Sequence, residues 1–120
     1  MPYTRVLQNN DPEAKCLDGS APYLYIHEGG HKNKFLIWFQ GGGICQGSSA
    51  PEIFAACIAR SKTPTGSSNF TAEETTIFNG GYLSTDRQKN KFAKWTKIII
   101  GYCDSFLHQG FRKDPIMVNG

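Results

Sequence analysis

The chain has 120 residues, a net charge of +3 and a hydrophobic fraction of 39%, which suits one folded domain and leaves no room for two. Its lysines are scattered from Lys15 to Lys113 without a basic stripe, which argues against a nucleic-acid partner. No apolar run approaches the roughly 20 residues of a membrane span, and no apolar signal core opens the chain, where Val6 and Leu7 are the only aliphatic residues before Lys15 besides Ala14 and Met1.

Residues 1–13 are polar and read as an irregular segment, with a single domain expected over residues 14–120. Cys16-Leu17-Asp18-Gly19-Ser20 is turn-rich, and Tyr23 to His27 reads as a short strand. A loop around Gly29 and Gly30 leads to a second strand over residues 34–40, and the two strands suggest an antiparallel hairpin. The second strand is apolar at five consecutive positions, Phe35 to Phe39, as in a strand covered on both faces. It runs directly into Gly41, Gly42 and Gly43. Glycines there let backbone N–H groups approach a ligand with no Cβ in the way.

Ser49, Pro51 and Glu52 form a helix start, and the helix should run to about Arg60 with Ile53, Phe54, Cys57 and Ile58 on one face. Residues 61–70 read as a Ser/Thr/Pro/Gly linker. Thr71 and Glu74 suggest a second capping box and a short helix ending near Phe78. Residues 86–94 are polar and basic, with one helical turn expected around Phe92. Residues 97–103 make the third strand, in which Ile98, Ile99 and Ile100 imply burial from both sides. The tail from Asp104 has no periodicity.

Cys16, Cys45, Cys57 and Cys103 contain no C-x-x-C spacing, so a zinc or thioredoxin-like site is not indicated. Spacing alone leaves three disulfide connectivities and four free thiols all open. His27, His31 and His108 lack metal-ligand spacing, and no metal or organic cofactor is implied. Asn69-Phe70-Thr71 fits an N-glycosylation triplet, a signal of low specificity. Two strands buried on both faces need helices above and below them, and only one good helix is present. Either the domain closes by oligomerisation or the chain is the first part of a larger α/β fold, and the second is the expectation.

The ordered blocks CLDGSAPYLYIHEGG, FLIWFQGGGICQG, a cysteine and an arginine in the next helix, GGYLSTD and KWTKIIIGYCDS resemble the pectin acetylesterase family. That family groups plant pectin acetylesterases with the animal carboxylesterase Notum. The resemblance covers residues from about 14 to 113. It implies an α/β-hydrolase-like fold, incomplete here, and a secreted or extracellular serine esterase acting on an acylated polysaccharide or another O-acyl ester. The family's serine elbow, aspartate and histidine would fall after Gly120, so the chain alone is expected to be inactive. Gly42 and Gly43 match the family's oxyanion-hole positions, and Ile44 stands where relatives carry an aromatic of the acyl pocket. Gln40 replaces a glutamate, and Ser105 stands where glycine is usual. The resemblance also implies the pairs Cys16–Cys103 and Cys45–Cys57, and with them an oxidising compartment. Asp104 is expected to be a structural hydrogen-bonding residue. The alternative is a non-catalytic, disulfide-stapled binding module that keeps the glycine loop as structure only.

Overall fold

The computed structural model describes residues 2–117. They form two compact units. The first comprises the chain up to Val6 with residues 23–40 and 72–101, and the second holds residues 7–22, 41–71 and the chain from Tyr102 onward.

The first unit is built on a five-stranded mixed sheet: β1 (Tyr3–Leu7), β2 (Tyr23–His27), β3 (His31–Phe39), β4 (Glu74–Thr75) and β5 (Trp95–Ile100), in the order β3-β5-β2-β1-β4. β2 and β3 run antiparallel as expected, but they are not a paired hairpin. β5 lies between them, antiparallel to β2 and parallel to β3. The separation is made at the glycine loop. Gly29 crosses the start of β5 so closely that a Cβ there would lie 2.1 Å from the Lys94 carbonyl oxygen, and its N–H donates to Thr96 Oγ1 at 3.1 Å. His31 N then donates to Lys94 O at 3.0 Å, starting β3 on the far edge of β5. The isoleucines of β5 supply apolar neighbours to a strand on each side, which a solvent-facing hairpin would not need.

The two faces of the sheet differ. Tyr23, Tyr25, Lys97 and Ile99 are buried on one face, with Tyr3 of β1 also buried. Tyr3, Tyr25 and Phe78 pack with ring centroids 5.5 Å apart, and the Tyr3 and Tyr25 hydroxyls donate to the Leu83 and Ala72 carbonyls at 2.8 and 2.7 Å. Lys97 satisfies its buried ammonium by donating to the carbonyls of Ala93 (2.8 Å) and Trp95 (3.2 Å). The other face is apolar but open. Phe35, Ile37 and Phe39 of β3 are 52%, 57% and 62% exposed. β3 is thus an edge strand among the described residues, not the doubly covered strand its composition implies.

Two further readings are corrected. Tyr3–Leu7 is a strand within the segment expected to be irregular. The expected helix from Thr71 to Phe78 is absent, and Glu74–Thr75 instead pair antiparallel with β1 (Tyr3↔Thr75). The β-branched run Thr75-Thr76-Ile77 favours extension once a partner strand is available, and the supposed capping hydroxyl of Thr71 donates to Ser68 O instead, at 2.6 Å.

The second unit carries α1 (Ala50–Arg60). Its start follows the sequence signal: Ser49 Oγ accepts from Glu52 N at 3.5 Å, Glu52 Oε2 accepts from Ser48 N at 2.6 Å, and proline occupies the first turn. The 61–70 stretch is packed rather than a loose linker. Gly66, Ser67 and Ser68 are buried, and Ser68–Phe70 form a short 3-10 turn capped by the Ser67 hydroxyl. Two disulfides close the unit, Cys16–Cys103 and Cys45–Cys57, with Cα separations of 4.8 and 5.2 Å.

Candidate functional site

After β3 the chain enters Gly41-Gly42-Gly43. Gly42 and Gly43 take φ values of +146° and +82°, a region that L side chains rarely adopt. Space restricts Gly42 as well: a Cβ would stand 3.0 Å from Thr65 Cγ2 and 3.4 Å from Tyr102 Cδ2.

Each glycine carbonyl is tied to a side chain. Arg60 Nη2, at the end of α1, donates to Gly42 O at 2.7 Å. The Tyr102 hydroxyl donates to Gly43 O and accepts from Leu107 N at 3.1 Å. Among the described residues, neither the Gly42 nor the Gly43 N–H donates to a protein group. The loop is exposed at both positions, and Ile44 beside it is partly exposed. It is thus held through its carbonyls while its N–H groups stay available to a ligand.

The supports are themselves fixed. Arg60 Nε donates to Ser105 Oγ at 2.8 Å, and that hydroxyl donates to Thr65 O, also at 2.8 Å. Cys45 N donates to Ser105 O at 3.3 Å, and the Cys45–Cys57 bond joins the loop to α1. Ser105, Leu107 and His108 all have positive φ (55°, 57° and 62°), so this turn stores backbone strain. Asp104 compensates: its Oδ1 accepts from Phe106 N (3.0 Å) and His108 N (3.2 Å), and its Oδ2 from Gly110 N (2.8 Å). Cys16–Cys103 and the Leu17 N bond to Cys103 O (2.8 Å) anchor the strand-end segment to the turn at residues 16–20. In that turn, burial pushes the Asp18 carboxyl up, but hydrogen bonds from Ser20 and Ser67 outweigh it and hold the group below the usual carboxylate range.

The histidines stay apart from one another. His27 stacks against Tyr3, His31 opens β3 in the open, and His108 packs on Tyr102 at 4.9 Å. Among the described residues, no group of three or more His, Cys, Asp or Glu could hold a metal ion. Asn69 lies away from the glycines in sequence, on the exposed part of the 3-10 turn. Reading the sequence missed the roles of Tyr102, Thr65 and Ser105 around the loop. Arg60 carried one signal, as the basic residue closing a well-capped helix.

The first unit is thus a mixed five-stranded sheet, and the second holds a glycine loop fixed through its carbonyls. The solved structure of the Wnt deacylase Notum from Drosophila superposes with a TM-score of 0.76 over 95% of this chain and 32% of that one, at 22% identity, which shows a shared fold. A second crystal form of the same protein gives a TM-score of 0.70 over 88% of this chain. The profile of the pectinacetylesterase family matches residues 1–117. Pectin acetylesterase 4 of Arabidopsis thaliana is 38% identical over 100 residues (81% of this chain), and Pectin acetylesterase 5 of the same plant is 38% identical over 110 residues (89%). The chain belongs to the pectinacetylesterase family of ester hydrolases. It spans 22% and 24% of the lengths of those two relatives.

Proposed function

We propose that Gly42 and Gly43 supply two backbone donors of an oxyanion hole in a secreted serine carboxylesterase that hydrolyses O-acyl esters, acetyl esters of a polysaccharide in the first instance. The observation that carries this reading is the division of labour in the loop. Arg60 and Tyr102 bind the two glycine carbonyls, while the two N–H groups have no protein acceptor among the described residues. A serine attacking an ester carbonyl places a negative charge on its oxygen. Fixed N–H donors stabilise that charge with no reorganisation cost at the moment of reaction, each contributing roughly 10²–10³ in rate. Collapse of the intermediate expels the alcohol and leaves an acyl-serine that water hydrolyses.

In this reading the serine, aspartate and histidine reside in further polypeptide of the same hydrolase domain, and Ile44 lines the acyl pocket. Its aliphatic side chain leaves room where an aromatic would narrow the pocket. Two observations support a larger domain: the chain spans about a quarter of its plant relatives, and Phe35, Ile37 and Phe39 leave one sheet face apolar and open. The two disulfides support an oxidising compartment.

The test is to read the transcript past the codon for Gly120 and to assay the 120-residue chain with p-nitrophenyl acetate. A continuing frame with a G-x-S-x-G elbow, and no turnover by the short chain, is the expected result. A stop codon directly after Gly120 would end the catalytic reading, and so would turnover by the short chain that a serine-directed inhibitor abolishes.

A further inference from the structure

The sequence singles out Asn69-Phe70-Thr71, and nothing in the oxyanion loop uses it. No other asparagine up to Asn90 is followed two positions later by serine or threonine. The structure separates Asn69 from the asparagine that works structurally. Asn90 is buried and donates its amide to the carbonyls of Tyr82 and Ser84, at 2.8 and 2.7 Å. Asn69 is exposed, and among the described residues its carboxamide makes no hydrogen bond. Its backbone is nevertheless fixed: Ser67 Oγ accepts from Asn69 N at 3.1 Å, and Ser67 and Ser68 are buried beneath it. The result is a rigid stem that presents one asparagine amide and the 54% exposed Phe70 to solvent.

We propose that Asn69 carries an N-linked oligosaccharide. An asparagine in this triplet accepts sugar only in a chain that enters the secretory route, the same route that produces the two disulfides of this unit. In the transfer, the Asn69 amide nitrogen bonds to the anomeric carbon of a lipid-pyrophosphate-linked oligosaccharide. The bond from that carbon to the phosphate oxygen breaks, the lipid pyrophosphate departs, and the amide loses one proton. The folded turn tolerates the product because the exposed carboxamide makes no hydrogen bond among the described residues, so no buried polar contact is lost. A hydrophilic glycan at this point also shields Phe70, which no neighbouring aromatic covers among the described ring pairs.

The experiment is translation of the full chain behind a cleavable leader in the presence of microsomes, scoring only the protease-protected product. That design supplies the compartment, so its outcome is independent of whether the chain is an esterase. The expected result is one slower-migrating species that endoglycosidase collapses, lost in Asn69→Gln and Thr71→Ala and retained in Thr71→Ser. The retained serine variant separates loss of the acceptor triplet from damage to the turn, because its hydroxyl can still donate to Ser68 O. A protected product with no endoglycosidase-sensitive shift, or a shift that persists in Asn69→Gln, would overturn the assignment.

Discussion

Arg60 closes α1 with its guanidinium on the Gly42 carbonyl, 2.7 Å from Nη2 to oxygen, and its Nε on the Ser105 hydroxyl at 2.8 Å. One side chain therefore fixes the orientation of a glycine peptide and of a strained turn at once. Hydrogen bonds from a charged group contribute roughly 1.5–3 kcal/mol each in favourable cases. Arg60 is partly exposed, which lowers that figure. Arg60→Met should cost about 1–3 kcal/mol in urea unfolding. Unchanged stability would show that the loop is held without Arg60, by Tyr102 and the disulfide.

Ser105 separates two effects that usually travel together. Its φ of +55° favours glycine, yet its hydroxyl links Arg60 to Thr65. Ser105→Ala keeps the backbone strain and loses both bonds, so it should destabilise by about 2 kcal/mol. Ser105→Gly loses the same bonds but relieves roughly 1 kcal/mol of left-handed strain, and should fall between the alanine variant and the native chain. The order is read directly from the three denaturation midpoints.

The disulfides should contribute unequally. The Cys16–Cys103 bond spans 87 residues and the Cys45–Cys57 bond spans 12. Loop-closure entropy assigns roughly 4–5 kcal/mol to the first and about 3 kcal/mol to the second. Paired serine variants, C16S/C103S and C45S/C57S, test this by calorimetry, and the first pair should unfold at the lower temperature.

Alkaline stability should pass through two regimes. Desolvation lowers the Lys97 pKa from its ordinary value, so the unfolded chain binds that proton more readily, and this group adds stability as pH rises towards about 10.4. Burial raises Tyr3 to about 12, and burial together with Tyr25 raises Tyr23 to about 12. Their contribution is complete below pH 10 and is lost as pH climbs from about 10 to 12, where the unfolded phenols ionise first. Tyr23→Phe should flatten the loss above pH 10, and Lys97→Met should flatten the gain below it. Denaturation midpoints across pH 7–11 measure both.

Much of this was legible in the sequence, for reasons that differ by element. The α1 start is written locally in Ser49, Pro51 and Glu52, so it could be read within a few residues of the true boundaries. The strands around Tyr25, Ile37 and Ile99 were equally clear, because apolar β-branched and aromatic runs leave few other options. Pairing was not legible. The insertion of β5 between β2 and β3 depends on how closely Gly29 passes Trp95, a contact between residues 66 positions apart. The error at Thr71 has the same origin: a local capping signature lost to a partner strand at Tyr3. Spacing could not choose the cysteine pairs, which came only from family resemblance. The supports of the glycine loop, Tyr102, Thr65 and Ser105, had no local signature, since each acts across the fold of the second unit on a residue it does not neighbour in sequence.

The proposed role of the Gly42 and Gly43 N–H groups is to stabilise an oxyanion. The most direct measurement is steady-state hydrolysis of p-nitrophenyl acetate by the product of the continued reading frame, native against Gly42→Ala. A Cβ at that position would press on Thr65 and Tyr102 and turn the peptide away from its present orientation. A fall in kcat of roughly 10²–10³ with KM little changed is expected, the signature of a contact made only in the transition state. A native kcat in a folded Gly42→Ala enzyme would contradict it.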